Sequence, residues 1–423
     1  MTGHFHPDVR RCPVGAHAVT TQPAPTPIFG PEFDANSHKI YDQLRAQGPI
    51  ATVEISPGVY GYLAVTYPAA LELLRNTPRR FAKDPRGNWH ALVNGQVPPD
   101  SPARAMMQPR DNALWLDGEE HRRLRTAIIQ ALSSIDTYNL VDVVTRVSDQ
   151  LIDAFAHVGE ADLVPQYADP LPMLTIIELF DAPAHLGQRI IHEVTRLFAA
   201  GPDAAEANAA LEAACLQLVH LKRQQPGPDV VSHLINTGLH DGELAQTLLL
   251  LFGAAAPPTA KHIARGTQRY LTDESFAGDV HTGVRPVADA LEEVHWDDPA
   301  VANYSPLYAR GDQLVQGVPV QAGYPILVSF AGANSDPAVS VSAEQRIGNR
   351  GHLAFSAGAH ACPAPDLARI ICETAVEHLL DRLTGMSLTI DPGEIPNIPG
   401  TFLAGPASLP VRFRSHNDRP EGL

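Results

Sequence analysis

Cysteine is scarce in this 423-residue chain: Cys12, Cys215, Cys362 and Cys372 are the whole complement. No two form a Cys-x-x-Cys pair, so a structural zinc site is not expected, and the usage fits a reducing cytoplasm. Positive charge is also short. Thirty-one lysines and arginines stand against 47 aspartates and glutamates, a formal net charge of -16. That balance argues against nucleic acid or an anionic membrane as partner. Long apolar runs are missing. The richest, Ala245 to Ala256, is followed by Pro257-Pro258 and falls short of the ~18 residues that span a bilayer. The start is polar and interrupted by proline and histidine, unlike a secretory leader. No repeat, low-complexity insert or Gly/Ser linker divides the chain. A prior of about 150 residues per domain would suggest two or three. We nevertheless expect one domain over residues 31–415, an extended N-terminal arm over 1–30 and a tail over 416–423. His4 and His6 read as part of a mobile tail, not a metal site.

What is present is mostly helical pattern. Ile40 and Leu44 mark a short helix ended by Gly48-Pro49. Ile50–Ile55 and Val59–Val65 alternate as a hairpin, and Tyr67–Thr77 reads as a helix. Pro85 to Leu114 is a long Gly- and Pro-containing stretch, and a loop of that length is usually functional. Leu140, Val143, Val147, Leu151 and Phe155 form one helical stripe. Gly242 to Tyr270 predicts a long helix, apolar all round over Leu248–Ala256 and therefore buried. Two prolines inside it remove the partners of the Gly253 and Ala254 carbonyls and predict a kink or widening. Short strands are expected at Val318–Val320, Ile326–Phe330, Leu388–Ile390 and Leu409–Phe413. With 44% hydrophobic residues the core can be large, in a mainly α fold with a small β domain.

One stretch carries more chemistry than the rest. Phe355 to Ala364 reads Phe-Ser-Ala-Gly-Ala-His-Ala-Cys-Pro-Ala, a small-residue loop that delivers Cys362 to a helix expected from about Pro363 to Leu383. A helix N-terminus favours a thiolate. The plain alternative is a buried structural cysteine.

The pattern resembles the haem-binding loop of cytochromes P450, F-G-x-G-x-H-x-C-x-G. Phe355, Gly358, His360 and Cys362 match, while Ser356 and Ala364 stand where glycines are usual. His352 to Phe355 and Leu367-Ala368-Arg369 are also similar to bacterial members. The resemblance implies the P450 fold, an α-helical prism holding haem b between the long central helix and the cysteine helix. Cys362 is then the iron ligand. His121 and Arg125, four apart on one helical face, resemble the family's propionate-binding pair; a solvated basic face is the alternative. Arg122 and Arg123 suit docking of an acidic ferredoxin. Expected pocket residues are Trp89, His90, Leu92, Val93, Met106, Met107, Phe252, Phe402 and Leu403.

Three departures stand out. The family's acid–alcohol pair on the central helix falls on Pro257 and Pro258, beside Ala255 and Ala256, leaving Thr259 as the nearby hydroxyl. The Glu-x-x-Arg helix retains Glu292 or Glu293 but puts His295 or Trp296 where arginine is expected; His295 or Arg346 would then have to serve the glutamate. A propionate-binding arginine falls on Leu307. The resemblance implies oxidation of a small natural product using dioxygen, with electrons from NAD(P)H through ferredoxin and ferredoxin reductase. Loss of the proton-relay pair leaves three outcomes open: hydroxylation, radical C–C or C–N coupling without oxygen insertion, and a non-catalytic haem sensor or scaffold.

Overall fold

The computed structural model describes residues 24–199, 201, 203–339 and 343–414. His4, His6 and Cys12, and the expected tail over 416–423, lie outside the described residues. The fold is organised on the helix Asp241–Thr272. His240 and Glu243 open it with a reciprocal capping box, each side chain accepting the other's backbone N–H, at 3.2 Å and 3.1 Å. Leu244, Leu248 and Phe252 are buried on it. It packs against the helices Ala204–Gln224, Pro170–Leu179 and Pro365–Arg382. The helix is continuous through Pro257 and Pro258. Two missing N–H donors do not end it because Ala256, Thr259 and Ala260 are buried against neighbouring elements, and tertiary packing dominates helix stability.

The β region is a six-stranded sheet in the order Thr26–Pro27, Ile50–Ser56, Val59–Ala64, Pro325–Ser329, Asn303–Ala309, Phe81–Ala82. Its first strand comes from the expected arm. Thr26–Pro27 pairs parallel with the next strand and Ile28 is fully buried, so this end of the arm is sheet edge. The first helix is longer than its apolar pair suggests, Pro31–Gln47, and Gly48 closes it at φ +145°, open to glycine alone. The Pro85–Leu114 stretch contains the short helices His90–Val93 and Pro102–Met107. The cysteine helix spans Pro365–Arg382, with Pro365 in the first turn in place of Pro363.

Candidate active site

A cavity of about 340 Å³ lies between the central helix and the cysteine segment. Ala254, Ala255, Pro258, Thr259 and His262 line it from the first; Phe355, His360, Cys362, Ala364 and Ile371 line it from the second. Arg125, on the Gly118–Leu132 helix, forms part of its wall.

The loop's geometry explains which glycines it kept. Gly358 has φ +73°, and a Cβ there would sit 2.3 Å from the Leu74 carbonyl oxygen, so no other residue fits. Ala364 has φ −138°, where a side chain is no burden, and its N–H donates to Cys362 Sγ at 3.4 Å. Ser356 does need a left-handed backbone, φ +62°, and its buried Oγ has no partner. Ser356→Gly is therefore expected to raise stability by about 1 kcal/mol in thermal denaturation.

The N–H of Cys362 donates to the Phe355 carbonyl at 2.8 Å, closing the loop. Burial pushes the Cys362 thiol up; the Ala364 N–H, Arg125 and Arg369 oppose this without overcoming it. Cys362 lies three residues before Pro365, where the helix begins, and a bound metal cation would favour the deprotonated sulfur.

One edge of the cavity is rich in donors without acceptors. The rings of His121 and His360 stack with centroids 3.9 Å apart. Both Nε2 atoms are buried without a hydrogen-bond partner. Burial first, then nearby cations, pushes His121 down to about 4 and His360 to about 2, so both imidazoles are neutral at pH 7. Lys83 joins them, fully buried, and sequence reasoning missed it. In Phe-Ala-Lys-Asp-Pro-Arg it reads as the polar start of a loop; nothing in that pattern signals burial.

The glutamate question resolves within the cysteine segment. Glu292 accepts from Arg369 and from His352 Nε2 at 2.6 Å, with Arg350 at 3.9 Å. Burial alone would raise its carboxyl, but His352 and Arg369 outweigh it and hold the group down at about 2. Neither expected donor serves it. Arg346 pairs with Asp297. His295 stacks on His262 at 3.7 Å and lines the cavity. Glu293 is held separately by Arg285 and by Arg269 at 2.6 Å. Trp296 Nε1 donates to the Asn349 carbonyl at 2.8 Å. Asn334 bridges this helix to the loop, donating to His295 O at 2.9 Å and accepting from Leu353 N–H at 2.8 Å.

The nine expected pocket residues do not line the cavity. Trp89 is buried and stacked on Tyr308, and Leu92, Met106 and Met107 pack in the same sheet-side core. His90 and Val93 are exposed. Phe252 turns toward Phe180, ring centroids 5.1 Å apart. Phe402 packs on Tyr304, and Leu403 lines a separate, smaller hollow. The long loop spends its apolar residues covering the sheet. The cavity wall is built instead from Leu114, Ile128, Ile176, Phe180, Leu250 and Val301, among others. Ala256 and Pro257 also do not line it, whereas Ala255, Pro258 and Thr259 do. Arg122 and Arg123 are exposed but pair with Glu119 and Glu243.

No protein-family model matches the chain. The 2-hydroxy-5-methyl-1-naphthoate 7-hydroxylase of Streptomyces carzinostaticus is 30% identical over 398 residues, 90% of this chain and 96% of the relative. The cytochrome P450 monooxygenase PikC of Streptomyces venezuelae is 29% identical, covering 91% and 93%. The chain belongs to the cytochrome P450 family. Among solved structures, the P450 CYP154C4 from Streptomyces sp. W2061 superposes with a TM-score of 0.83 at 26% identity, over 92% of this chain and 97% of that one. CYP154A1 from Streptomyces coelicolor A3(2) does so at 0.81 and 28%, over 92% and 100%. As a P450 the chain is a haem-thiolate oxidoreductase of the monooxygenase type, working on small molecules with dioxygen and redox-partner electrons. Its hydroxylase and monooxygenase relatives favour oxygen insertion over coupling or a non-catalytic role. No helix among the described residues is long and apolar enough to cross a membrane. The orphaned His121 and His360 nitrogens, with Arg125 beside a cysteine on one cavity, fit a porphyrin bearing two carboxylates.

Proposed function

We propose that this P450 inserts one oxygen atom into a small, largely apolar natural product in the cytoplasm. Its electrons come from NAD(P)H through ferredoxin reductase and a ferredoxin. The observation that carries the proposal is the convergence on one cavity of Cys362, Arg125, His360 with His121 stacked behind it, and a wall of aliphatic side chains. Cys362 is the proposed iron ligand, and His121, Arg125 and His360 the propionate ligands. Haem held by a thiolate supplies reductive activation of dioxygen. Overall, one oxygen enters a C–H bond and the other leaves as water, consuming two electrons and two protons.

The chain's own groups must orient the substrate and move those protons. Leu250, Leu251, Ile176 and Phe180 exclude water and offer no ionic anchor, which suits an apolar scaffold. Thr259 is the central-helix hydroxyl on the cavity. Pro258 leaves the carbonyl of Ala254, another lining residue, without its helical N–H. A water held between these two groups would replace the missing acid–alcohol pair. Thr259→Ala is expected to lower coupling of electron use to product about tenfold or more, read as peroxide released per substrate oxidised. An unchanged ratio would remove Thr259 from proton delivery. The proposal as a whole is tested by reconstitution with ferredoxin, reductase, NADPH and labelled dioxygen on an aromatic polyketide panel. One labelled oxygen per product is expected. A product without label, lighter by two hydrogens, would overturn oxygen insertion.

A further inference from the structure

We propose that Lys83 is a haem-propionate ligand, taking over the charge of the arginine that Leu307 replaces in the sheet. The inference rests on the haem-thiolate reading of the cavity. Lys83 is fully buried, and its Nζ donates to a neutral group, Ser305 Oγ, at 3.2 Å. No carboxylate lies within ion-pair distance of that Nζ among the described residues. The nearest acid, Asp117, is engaged otherwise. Its Oδ2 accepts the backbone N–H of Lys83 at 3.0 Å and the guanidinium of Arg310 at 3.0 Å. Buried lysines are rare unless paired, so this ammonium lacks an anion.

The neighbours of Lys83 point to the kind of anion it would hold. Lys83, Arg125 and His360 line the same cavity, and His121 stacks on His360. Four cationic or donor side chains therefore share one acid, whose Oδ2 is engaged by Arg310 and whose buried Oδ1 reaches only the His360 Nε2, at 3.9 Å. Two carboxylates on one rigid ligand would balance the set. Burial pushes Lys83 down to about 7, with Asp117 opposing; an adjoining carboxylate would return it to the charged form. The strand beside it is adapted to this contact. Register shifts between Tyr304 and Leu307, and Ser305 adopts φ +52°, a left-handed conformation uncommon for serine. That bulge brings the Ser305 hydroxyl to Lys83, two residues from Leu307.

The alternative source of a carboxylate is an acidic substrate, and the experiment separates the two. Holoenzyme carrying Lys83→Met or Lys83→Arg is compared with wild type for haem transfer to excess apomyoglobin and for the propionate-bending bands in resonance Raman spectra. Lys83→Met is expected to release haem roughly tenfold to a hundredfold faster and to shift a propionate band. Lys83→Arg is expected to restore slow release. A merely packing role would leave the propionate bands unmoved. If Lys83→Met fails to fold, the band shift in Lys83→Arg still reports the contact. Wild-type release and bands in Lys83→Met, with only 2-naphthoate binding weakened, would overturn the proposal and assign the anion to substrate. Wild-type protein that purifies without haem would overturn the underlying haem-thiolate reading instead.

Discussion

Arg369→Ala is expected to destabilise the protein by about 3–5 kcal/mol, the range for leaving a buried carboxylate without its cation. Glu292 is almost fully buried, and the pair joins the Val287–Asp297 helix to the cysteine helix. Its second donor, His352, comes from the approach to the cysteine loop. One carboxylate thus ties three segments around the cavity. The same group predicts acid sensitivity. Its folded pKa of about 2 lies below the ordinary 4.5, so its contribution is fully present above pH 4.5 and is lost as pH falls toward 2. A shift of that size is worth about 3 kcal/mol. Urea denaturation at pH 7 and pH 3 checks both statements. Wild type should lose stability between them, and Arg369→Ala should start lower at pH 7 and lose less. Adding Glu292→Gln to Arg369→Ala should recover part of the loss, because the uncompensated charge is then gone. A cost below about 1 kcal/mol for Arg369→Ala would mean that His352 and Arg350 suffice.

Cys362→Ala is expected to abolish product formation, by on the order of 10³-fold or more, as for loss of a group on which the whole reaction depends. The fold should survive. Cys362 is half-buried, and its side-chain hydrogen bond is a weak one from the Ala364 N–H at 3.4 Å. Cys215 and Cys372 are the controls. Both are buried in apolar clusters, and burial pushes both thiols far up. Cys372 donates to the Thr259 carbonyl at 3.9 Å, a packing contact between the cysteine helix and the central helix. Replacing either with alanine should cost stability through lost packing and leave the haem spectrum unchanged. Turnover in Cys362→Ala within tenfold of wild type would remove that sulfur from the chemistry.

The helices were readable because their apolar period is strong and their stops are explicit. Gly48 ends the first helix, and the buried face of Leu244 to Phe252 announces the central one. The cysteine loop was readable because its requirements are local: Gly358 has no alternative beside Leu74. Long-range pairing was not. Arg369 and Glu292 are 77 residues apart, and no spacing rule chooses Arg369 over Arg346. Lys83 escaped for a similar reason, since its burial is imposed by strands and helices distant in sequence. The pocket was misplaced because apolar residues on a long loop serve a sheet-side core as well as a ligand. Trp89 and Met107 went to that core. The helix prolines remove two N–H donors without ending the helix, because the packing around Ala256, Thr259 and Ala260 holds it through them.

The reduced, carbon monoxide-bound absorption spectrum of purified wild-type protein tests the assignment of Cys362 most directly. The account predicts the red-shifted Soret band of a thiolate-ligated haem, lost in Cys362→Ala and retained in Cys372→Ala. A wild-type band at the position of nitrogen-ligated haem, or the absence of haem absorption, would contradict it.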